Sequence, residues 1–300
     1  MESRYENLGL KVPGKDLLCN AKIKTYPDGS AKIVVFDKMI FVPEGWENDG
    51  KKRYKSLLDE TSPGESCQKE DCLKRARRRA KEAVRDIALS NDMKHFVTLT
   101  IDQKELDRYD IGAITHQMKI WLSNQVQRRD LLYILVPERH RDGAIHFHGL
   151  FGGEPGLEAV ASGTWTDGKS KPRRPQTAKE AALFRASENW HEVFNLPRWK
   201  YGFTTAIKLY GDKAATIGYI LKYLDKQYNE KDGDHLPGKI GGRWYYSGGN
   251  LRRPNVEYCE LFDWEMLDGY EFTVPEAGLR GKIIQIAPDG TIMRCQNVKS

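Results

Sequence analysis

A β-hairpin in the middle of the chain constrains the fold more than any other feature of the sequence. Leu131–Val136 is an apolar run without alternation, Arg141-Asp142-Gly143 is a turn signal, and Ala144–Phe151 predicts the returning strand. A parallel doubly wound sheet needs a helix after each strand, so the hairpin excludes that class. The surrounding order of strand, helix, two strands, helix, strand and helix predicts an antiparallel α+β fold with helices on a central sheet.

The predicted elements divide the 300 residues into three parts. Residues 1–65 are rich in turn signals and predict a small β-rich element followed by a linker. Residues 72–252 contain the main domain. Residues 256–300 predict a short β-rich extension.

Two local signals predict helix ends within the main domain. Asn91 follows an apolar stripe at helical spacing and is the candidate C-cap of the first helix. Thr177 and Glu180 form a capping box, which opens a helix predicted to reach about Phe194.

The composition favours a cytoplasmic protein. No apolar stretch is long enough to span a bilayer, and the first ten residues lack the apolar core of a secretory signal. The five cysteines are scattered and odd in number, which favours reduced thiols over a disulfide framework.

The positive charges are clustered, although the net charge of +6 is modest. The predicted first helix carries a dense group of cations, and a loop rich in glycine and proline carries a second group. Such clusters suggest a polyanionic partner, with nucleic acid as the first candidate. The candidate DNA-binding residues are Arg75, Arg78, Arg79, Lys169, Lys171, Arg173 and Arg174.

His146-Phe147-His148 places two imidazoles on one face of a strand, where they can hold a metal ion together. A three-residue loop with Gly143 in the left-handed conformation would pair Glu138 with His146 and add a carboxylate. A two-residue Asp142-Gly143 turn would instead place Arg139 opposite His146. His140 is a competing third ligand. One carboxylate and two imidazoles suit Mg²⁺ or Mn²⁺ holding a phosphate, and Zn²⁺ stays open.

A later segment contains two Tyr-x-x-Lys units in tandem. Helical spacing gathers Tyr219, Lys222, Tyr223 and Lys226 on one face, opposite an apolar face. One interpretation is an ordinary amphipathic helix with extended lysines. The other is a nucleophilic site for phosphorus chemistry, in which an adjacent lysine lowers the pKa of a tyrosine.

Three motifs in this order resemble the HUH endonucleases, in particular the rolling-circle replication initiators of phages and plasmids. Phe96-Val97-Thr98-Leu99-Thr100 resembles their first strand motif, and Glu138 with His146-Phe147-His148 resembles their metal motif. Tyr219-x-x-Lys222-Tyr223 resembles the tyrosine motif of the two-tyrosine class. The resemblance covers roughly residues 72–252. It implies a ferredoxin-like sheet that carries the histidine pair, with the tyrosine helix beside it.

The resemblance also implies an activity. A metal-dependent nickase would cut single-stranded origin DNA through a 5′-phosphotyrosine intermediate and release a 3′-OH for replication, with host helicase and polymerase as partners. A relaxase or transposase with the same chemistry, or a non-catalytic nucleic-acid-binding module on a ferredoxin-like sheet, are the alternatives.

Two further patterns stand apart from these motifs. Residues 163–170 fit the P-loop pattern, but Pro172 and Pro175 prevent a helix from starting at Ser170, so no ATP site is expected. Trp244, Tyr245 and Tyr246 suit base stacking and core packing equally.

Overall fold

A computed structural model describes residues 10–11, 18–41, 69–140, 142–210, 213–229, 239–274 and 278–293. The chain divides into two compact units, one of residues 67–252 and one of residues 1–66 with 253–300. The elements in chain order are β1 (Leu10–Lys11), β2 (Leu18–Thr25), β3 (Ala31–Phe41), α1 (Lys69–Ser90), β4 (Met93–Thr100), α2 (Ile111–Arg129), β5 (Leu132–Arg139), β6 (Ile145–Gly152), β7 (Val160–Thr166), α3 (Ala178–Ala186), β8 (His191–Asn195), β9 (Thr204–Lys208), α4 (Lys213–Asn229), β10 (Tyr246–Gly248), β11 (Asn255–Leu261), β12 (Tyr270–Val274), β13 (Leu279–Ile286) and β14 (Ile292–Met293).

The larger unit is built on one antiparallel sheet. Within the described residues this sheet has seven strands in the order β10-β5-β6-β4-β9-β8-β7. Strand β6 lies at its centre, between β5 and β4. The predicted antiparallel α+β fold, with helices packed on a central sheet, is confirmed.

Helices cover both faces of this sheet. On one face, α2 contributes Ile114, Met118 and Leu122 to a core with Phe147 and Phe151 of β6. The opposite face packs against α1 and α4, and this second core includes Val84, Ile87, Ile220, Leu224 and, from the sheet, Ile134, Val136 and Leu150. Because side chains alternate along a strand, His146 and His148 share the face that α1 and α4 cover.

Asn91 ends helix α1 through its side chain. Its Nδ2 donates to the carbonyl of Ile87 at 2.7 Å, as a C-cap residue satisfies a terminal carbonyl. The same amide also donates to the carbonyl of Arg252 at 3.0 Å and accepts from the Arg252 N–H at 2.9 Å. The predicted C-cap is confirmed, and it also fastens residue 252 to the end of α1.

The second predicted helix is shorter than expected. Thr177 Oγ1 accepts from the Glu180 N–H at 3.1 Å, which confirms the predicted start. However, α3 ends at Ala186, and residues 191–195 form strand β8 instead of continuing the helix to Phe194. Val193 and Phe194 pair with both β7 and β9, so cross-strand pairing and burial override the local helical signal.

The smaller unit joins the two ends of the chain. Its sheet has the order β1-β11-β2-β3-β13-β12, with β14 paired to β13, among the described residues. Ile33, Val35 and Ile284 are fully buried in its core, which also contains Cys259. The sequence treated the two terminal segments as separate elements, whereas the structure pairs their strands in one sheet.

Several further expectations meet a direct observation. Cys72 is disulfide-bonded, so the expectation of reduced thiols is wrong for this residue, while Cys19 and Cys259 are free and buried. Trp244 and Tyr246 are buried in the two cores of the larger unit, which resolves their role in favour of packing. Among the described residues, none of the helices has the length and apolar character needed to cross a membrane.

We predict that Asn91→Ala lowers the free energy of unfolding by about 1–3 kcal/mol, because it leaves buried backbone groups of Ile87 and Arg252 without partners. Asn91→Asp has the same shape but presents an acceptor to both carbonyls, so its loss should be at least as large. Urea unfolding with the exposed Asn189→Ala as a control measures both effects. An Asn91→Ala value within about 0.3 kcal/mol of wild type, the scatter of neutral surface changes, would contradict this account.

Candidate functional site

The hairpin between β5 and β6 has the register that the sequence analysis proposed. Gly143 has φ +85°, a left-handed conformation that favours glycine, and the His140 N–H donates to the Ala144 carbonyl at 2.8 Å. Glu138 is consequently paired with His146. The three-residue loop is confirmed, and the alternative with Arg139 opposite His146 is wrong.

Two threonines of β4 contact the histidine rings. Thr98 is paired with His148 and Thr100 with His146 across the sheet. Thr98 Oγ1 lies 3.1 Å from His148 Nδ1, and Thr100 Oγ1 lies 3.4 Å from His146 Nδ1. Hydrogen bonds at one ring nitrogen orient an imidazole for a ligand at the other. The sequence analysis assigned no role to these threonines, although their period of two matches that of the histidines.

Glu138 lies in an ion pair that also includes a lysine of α4. His148 Nε2 lies 2.5 Å from Glu138 Oε2, and Lys226 Nζ donates to Glu138 Oε1. The side chains of Glu138 and His148 are only 10% and 12% exposed. Burial opposes ionisation of the carboxyl, but the hydrogen bonds from His148 and Lys226 outweigh it and lower the pKa of Glu138 to about 2. The carboxylate is therefore charged at neutral pH.

His146 is held in its neutral form. Burial, and then the neighbouring His140 and His148, lower its pKa to about 4. His140 stacks on the His146 ring with centroids 5.1 Å apart, so it lies beside the pair, close to the turn. Neutral imidazole is the form that binds metals.

The donors of this cluster fit a divalent cation in type but not yet in arrangement. Glu138 and His148 are in direct contact, and His146 lies on the same face of the sheet. No three His, Cys, Asp or Glu side chains in the described part of the chain form a ready-made metal site. Lys226 supplies the positive charge beside Glu138.

Helix α4 positions the two tyrosines over this cluster. Its apolar residues Ile217, Ile220, Leu221 and Leu224 are buried against the sheet and α1, which leaves Tyr219 47% exposed. Asp225 on the same helix accepts from Lys81 of α1 at 2.8 Å and lies 3.6 Å from Arg77. Apolar packing and this ion pair together fix the rotation of α4 about its axis.

The two tyrosines are adjacent but not equivalent. Tyr223 stacks on the His148 ring with centroids 3.9 Å apart and planes within 10°. Its hydroxyl donates to the hydroxyl oxygen of Tyr219 at 3.0 Å. Burial, followed by the hydrogen bond to Tyr219, raises the pKa of Tyr223. Tyr219 is the more accessible phenol, and it packs edge-on against Phe96 at 5.2 Å.

The two lysines also differ. Lys222 Nζ lies 5.8 Å from the centroid of the Tyr219 ring, whereas Lys226 Nζ bonds to Glu138. The expectation that the adjacent lysine lowers the pKa of its tyrosine is wrong for Tyr223, because burial dominates and Lys226 faces the carboxylate instead.

The basic residues predicted to bind DNA lie on the surface of the larger unit. Arg75, Arg78 and Arg79 are exposed on α1, and Lys169, Lys171 and Arg174 are exposed in the loop after β7. Arg173 has a structural contact as well. It pairs with Glu180 at 2.5 Å and lies over the stacked rings of Phe184 and Trp190.

The segment that fits the P-loop pattern has a different conformation. Residues 160–166 form β7, and Asp167 then accepts from the N–H groups of Lys169 and Ser170 in a turn. The next helix, α3, begins only at Ala178. The prediction that no helix starts at Ser170 is confirmed.

The ionised Glu138 predicts a specific loss of stability in acid. Its pKa is lower in the folded chain than the ordinary 4.5, so its contribution is complete above pH 4.5 and is lost as the pH falls towards 2. We expect the free energy of unfolding of wild type to fall more steeply over that interval than that of Glu138→Gln. Urea unfolding at stepped pH tests this, with the exposed Glu188→Gln as the control. Parallel curves for wild type and Glu138→Gln would refute the prediction.

Comparison with known proteins adds one match. Residues 94–228 match the family model of the replication-associated protein ORF2. That segment includes β4, the β5–β6 hairpin and nearly all of α4, and therefore every residue of the cluster described above. No curated protein and no solved structure matches the chain. The family match supports a replication initiator family for this chain.

Proposed function

We propose that this protein starts replication by nicking single-stranded origin DNA with a tyrosine, which becomes covalently attached to the 5′-phosphate. The observation that carries the proposal is the hydroxyl pair of Tyr219 and Tyr223 stacked on His148, whose other edge bonds to Glu138. Accessible phenols beside buried imidazoles and a carboxylate suit phosphoryl transfer to a tyrosine. The match to a replication-associated family agrees with this assignment.

The topology supports a ferredoxin-like HUH endonuclease fold. Elements β4, α2, β5, β6, α3 and β9 follow one another along the chain, and their strands lie in the order β5-β6-β4-β9. This is the β-α-β-β-α-β pattern with antiparallel pairing. Strands β7 and β8 extend the sheet beyond β9, and β10 extends it beyond β5.

Tyr219 is the proposed first nucleophile. Its oxygen attacks the scissile phosphorus, the bond from phosphorus to the 3′ oxygen breaks, and the leaving oxygen gains a proton to become the 3′-OH. The phenolic proton of Tyr219 passes to solvent, to which this side chain is open. The hydrogen bond donated by Tyr223 stabilises negative charge on the attacking oxygen. Tyr223 is the proposed nucleophile of the second cleavage, which releases the unit-length product.

Glu138, His146 and His148 are the proposed ligands of Mg²⁺ or Mn²⁺. Such an ion supplies charge stabilisation to the phosphate oxygens when it is bound. Thr98 and Thr100 orient the two rings through Nδ1. Lys222, beside the Tyr219 ring, and Lys226, beside Glu138, place two ammonium groups where a phosphate would approach.

The exposed cations of α1 and of the loop after β7 are the proposed contacts to the DNA backbone. Such contacts provide affinity without sequence specificity and weaken with salt. The released 3′-OH would serve a host polymerase, and a host helicase would expose the single strand, so both are proposed partners.

Covalent adduct formation is the direct test. Single-stranded oligonucleotides that tile the replicon encoding this chain are incubated with the full-length protein and Mn²⁺. A denaturation-resistant adduct, mapped to a tyrosine by mass spectrometry, is the expected result. Retardation of the DNA without any adduct would favour the non-catalytic binding module instead.

We predict that His146→Ala and His148→Ala each reduce adduct formation by about 100-fold or more, while the affinity for single-stranded DNA changes less than about threefold. The reason is that charge stabilisation at the phosphate depends on the imidazoles, whereas affinity depends on Lys and Arg contacts. His116→Ala, at an exposed position of α2, is the matched control. Adduct formation by His148→Ala at the wild-type rate would eliminate the proposed ligand set.

We predict different effects for the two tyrosines. Tyr219→Phe should lower the rate of the first cleavage by about 100-fold or more, because the accessible nucleophile is lost. Tyr223→Phe should lower it only about tenfold, the equivalent of one hydrogen bond of roughly 1 kcal/mol. The double variant should form no adduct, and Tyr210→Phe serves as the control. First cleavage by Tyr219→Phe as fast as wild type would reverse the assignment.

A further inference from the structure

Phe203 exposes an aromatic ring beside the candidate site. Its side chain is 70% exposed, and it immediately precedes β9. Single exposed apolar side chains are common on protein surfaces. The position of this ring relative to the histidine pair, rather than its exposure, is therefore what gives it significance.

The sheet register aligns Phe203 with the proposed metal ligands. The Thr100 N–H donates to the Phe203 carbonyl at 2.9 Å, which extends the Leu99–Thr204 pairing by one residue. Thr100 is paired with His146, and His146 with Glu138. Residues paired in this way share a face of the sheet. At a strand spacing of about 4.8 Å, the backbone of Phe203 lies about 10 Å from that of His146.

The backbone that carries Phe203 is fixed on both sides. Gly202 has φ +149°, and a Cβ atom there would lie 2.3 Å from the Thr100 carbonyl oxygen, so only glycine fits. The carbonyl of Tyr201 accepts from the Asp102 N–H at 2.8 Å, and the Tyr201 hydroxyl donates to Gln117 at 2.9 Å. A ligand would therefore find the ring already held in place, at little cost in ordering.

We propose that Phe203 stacks on an unpaired base of the DNA, one or two nucleotides from the scissile phosphate. This proposal rests on the proposed function, because the cluster around His148 fixes where that phosphate lies. An aromatic ring on a sheet face suits a nucleobase, since every base presents a flat π-surface to it. The contact would hold the strand in line with Tyr219 while accepting any base.

Binding of fluorescent single-stranded oligonucleotides to the full chain tests this proposal. Loss of one stacked base costs about 1–3 kcal/mol, so Phe203→Ala should raise Kd about 5- to 150-fold. Phe203→Trp should retain wild-type affinity, and Phe203→Leu should resemble Phe203→Ala. Tyr210→Ala is the matched control, because Tyr210 is 55% exposed just beyond the other end of β9 and should leave Kd unchanged.

An abasic scan identifies the stacked base. Removing that one base should weaken binding to wild type as much as Phe203→Ala does, and should have no further effect on the variant. Equal affinities of Phe203→Ala and wild type, or abasic effects that are identical in both, would overturn the proposal. If wild type forms the covalent adduct but Phe203→Ala binds normally, only the stacking proposal fails. If wild type binds DNA with the expected dependence on Phe203 but forms no adduct, the nickase proposal fails alone. If wild type does not bind single-stranded DNA, both fail.

Discussion

The pairing of Glu138 with His146 is the constraint on which the rest of the site depends. A strand alternates its side chains with a period of two, so a slip of one residue in the hairpin would turn Glu138 towards the opposite core. The left-handed Gly143 fixes the loop length, and the apolar residues of β5 and β6 fix which face is buried. With this register, a carboxylate, two imidazoles and two threonines gather at one end of the face under α4.

Helix α4 adds the second half of the site by the same logic of one buried face. Its aliphatic residues pack on the sheet and α1, and Asp225 ties it to Lys81. The remaining face places Tyr223 flat on His148 and leaves Tyr219 open. The buried carboxylate needs a positive partner, and Lys226 provides one from this helix. The chemical inequality of the two tyrosines is therefore a consequence of how deeply each residue of one helix turn is buried.

The arrangement across the sheet extends the site beyond the reactive groups. Glu138, His146, Thr100 and Phe203 belong to four neighbouring strands and lie in one row. A single strand of DNA laid along such a row would meet a phosphate site and then an aromatic surface. The rigid turn at Gly202 gives this row a defined end, which favours a bound strand with one fixed register.

The sequence by itself determined the features that depend on neighbours along the chain. Alternation and turn chemistry predicted the hairpin with its register, and helical spacing predicted the shared face of Tyr219 and Tyr223. The same local reasoning correctly identified the cap at Asn91. Tertiary structure decided what depends on distant segments. Lys226 reaches Glu138 across 88 positions of the chain, and residues 191–195 became a strand because β7 and β9 flank them. The joining of the two terminal segments in one sheet is of the same kind. Local periodicity reports which face a residue takes, but burial and pairing partners arise only when the chain is folded.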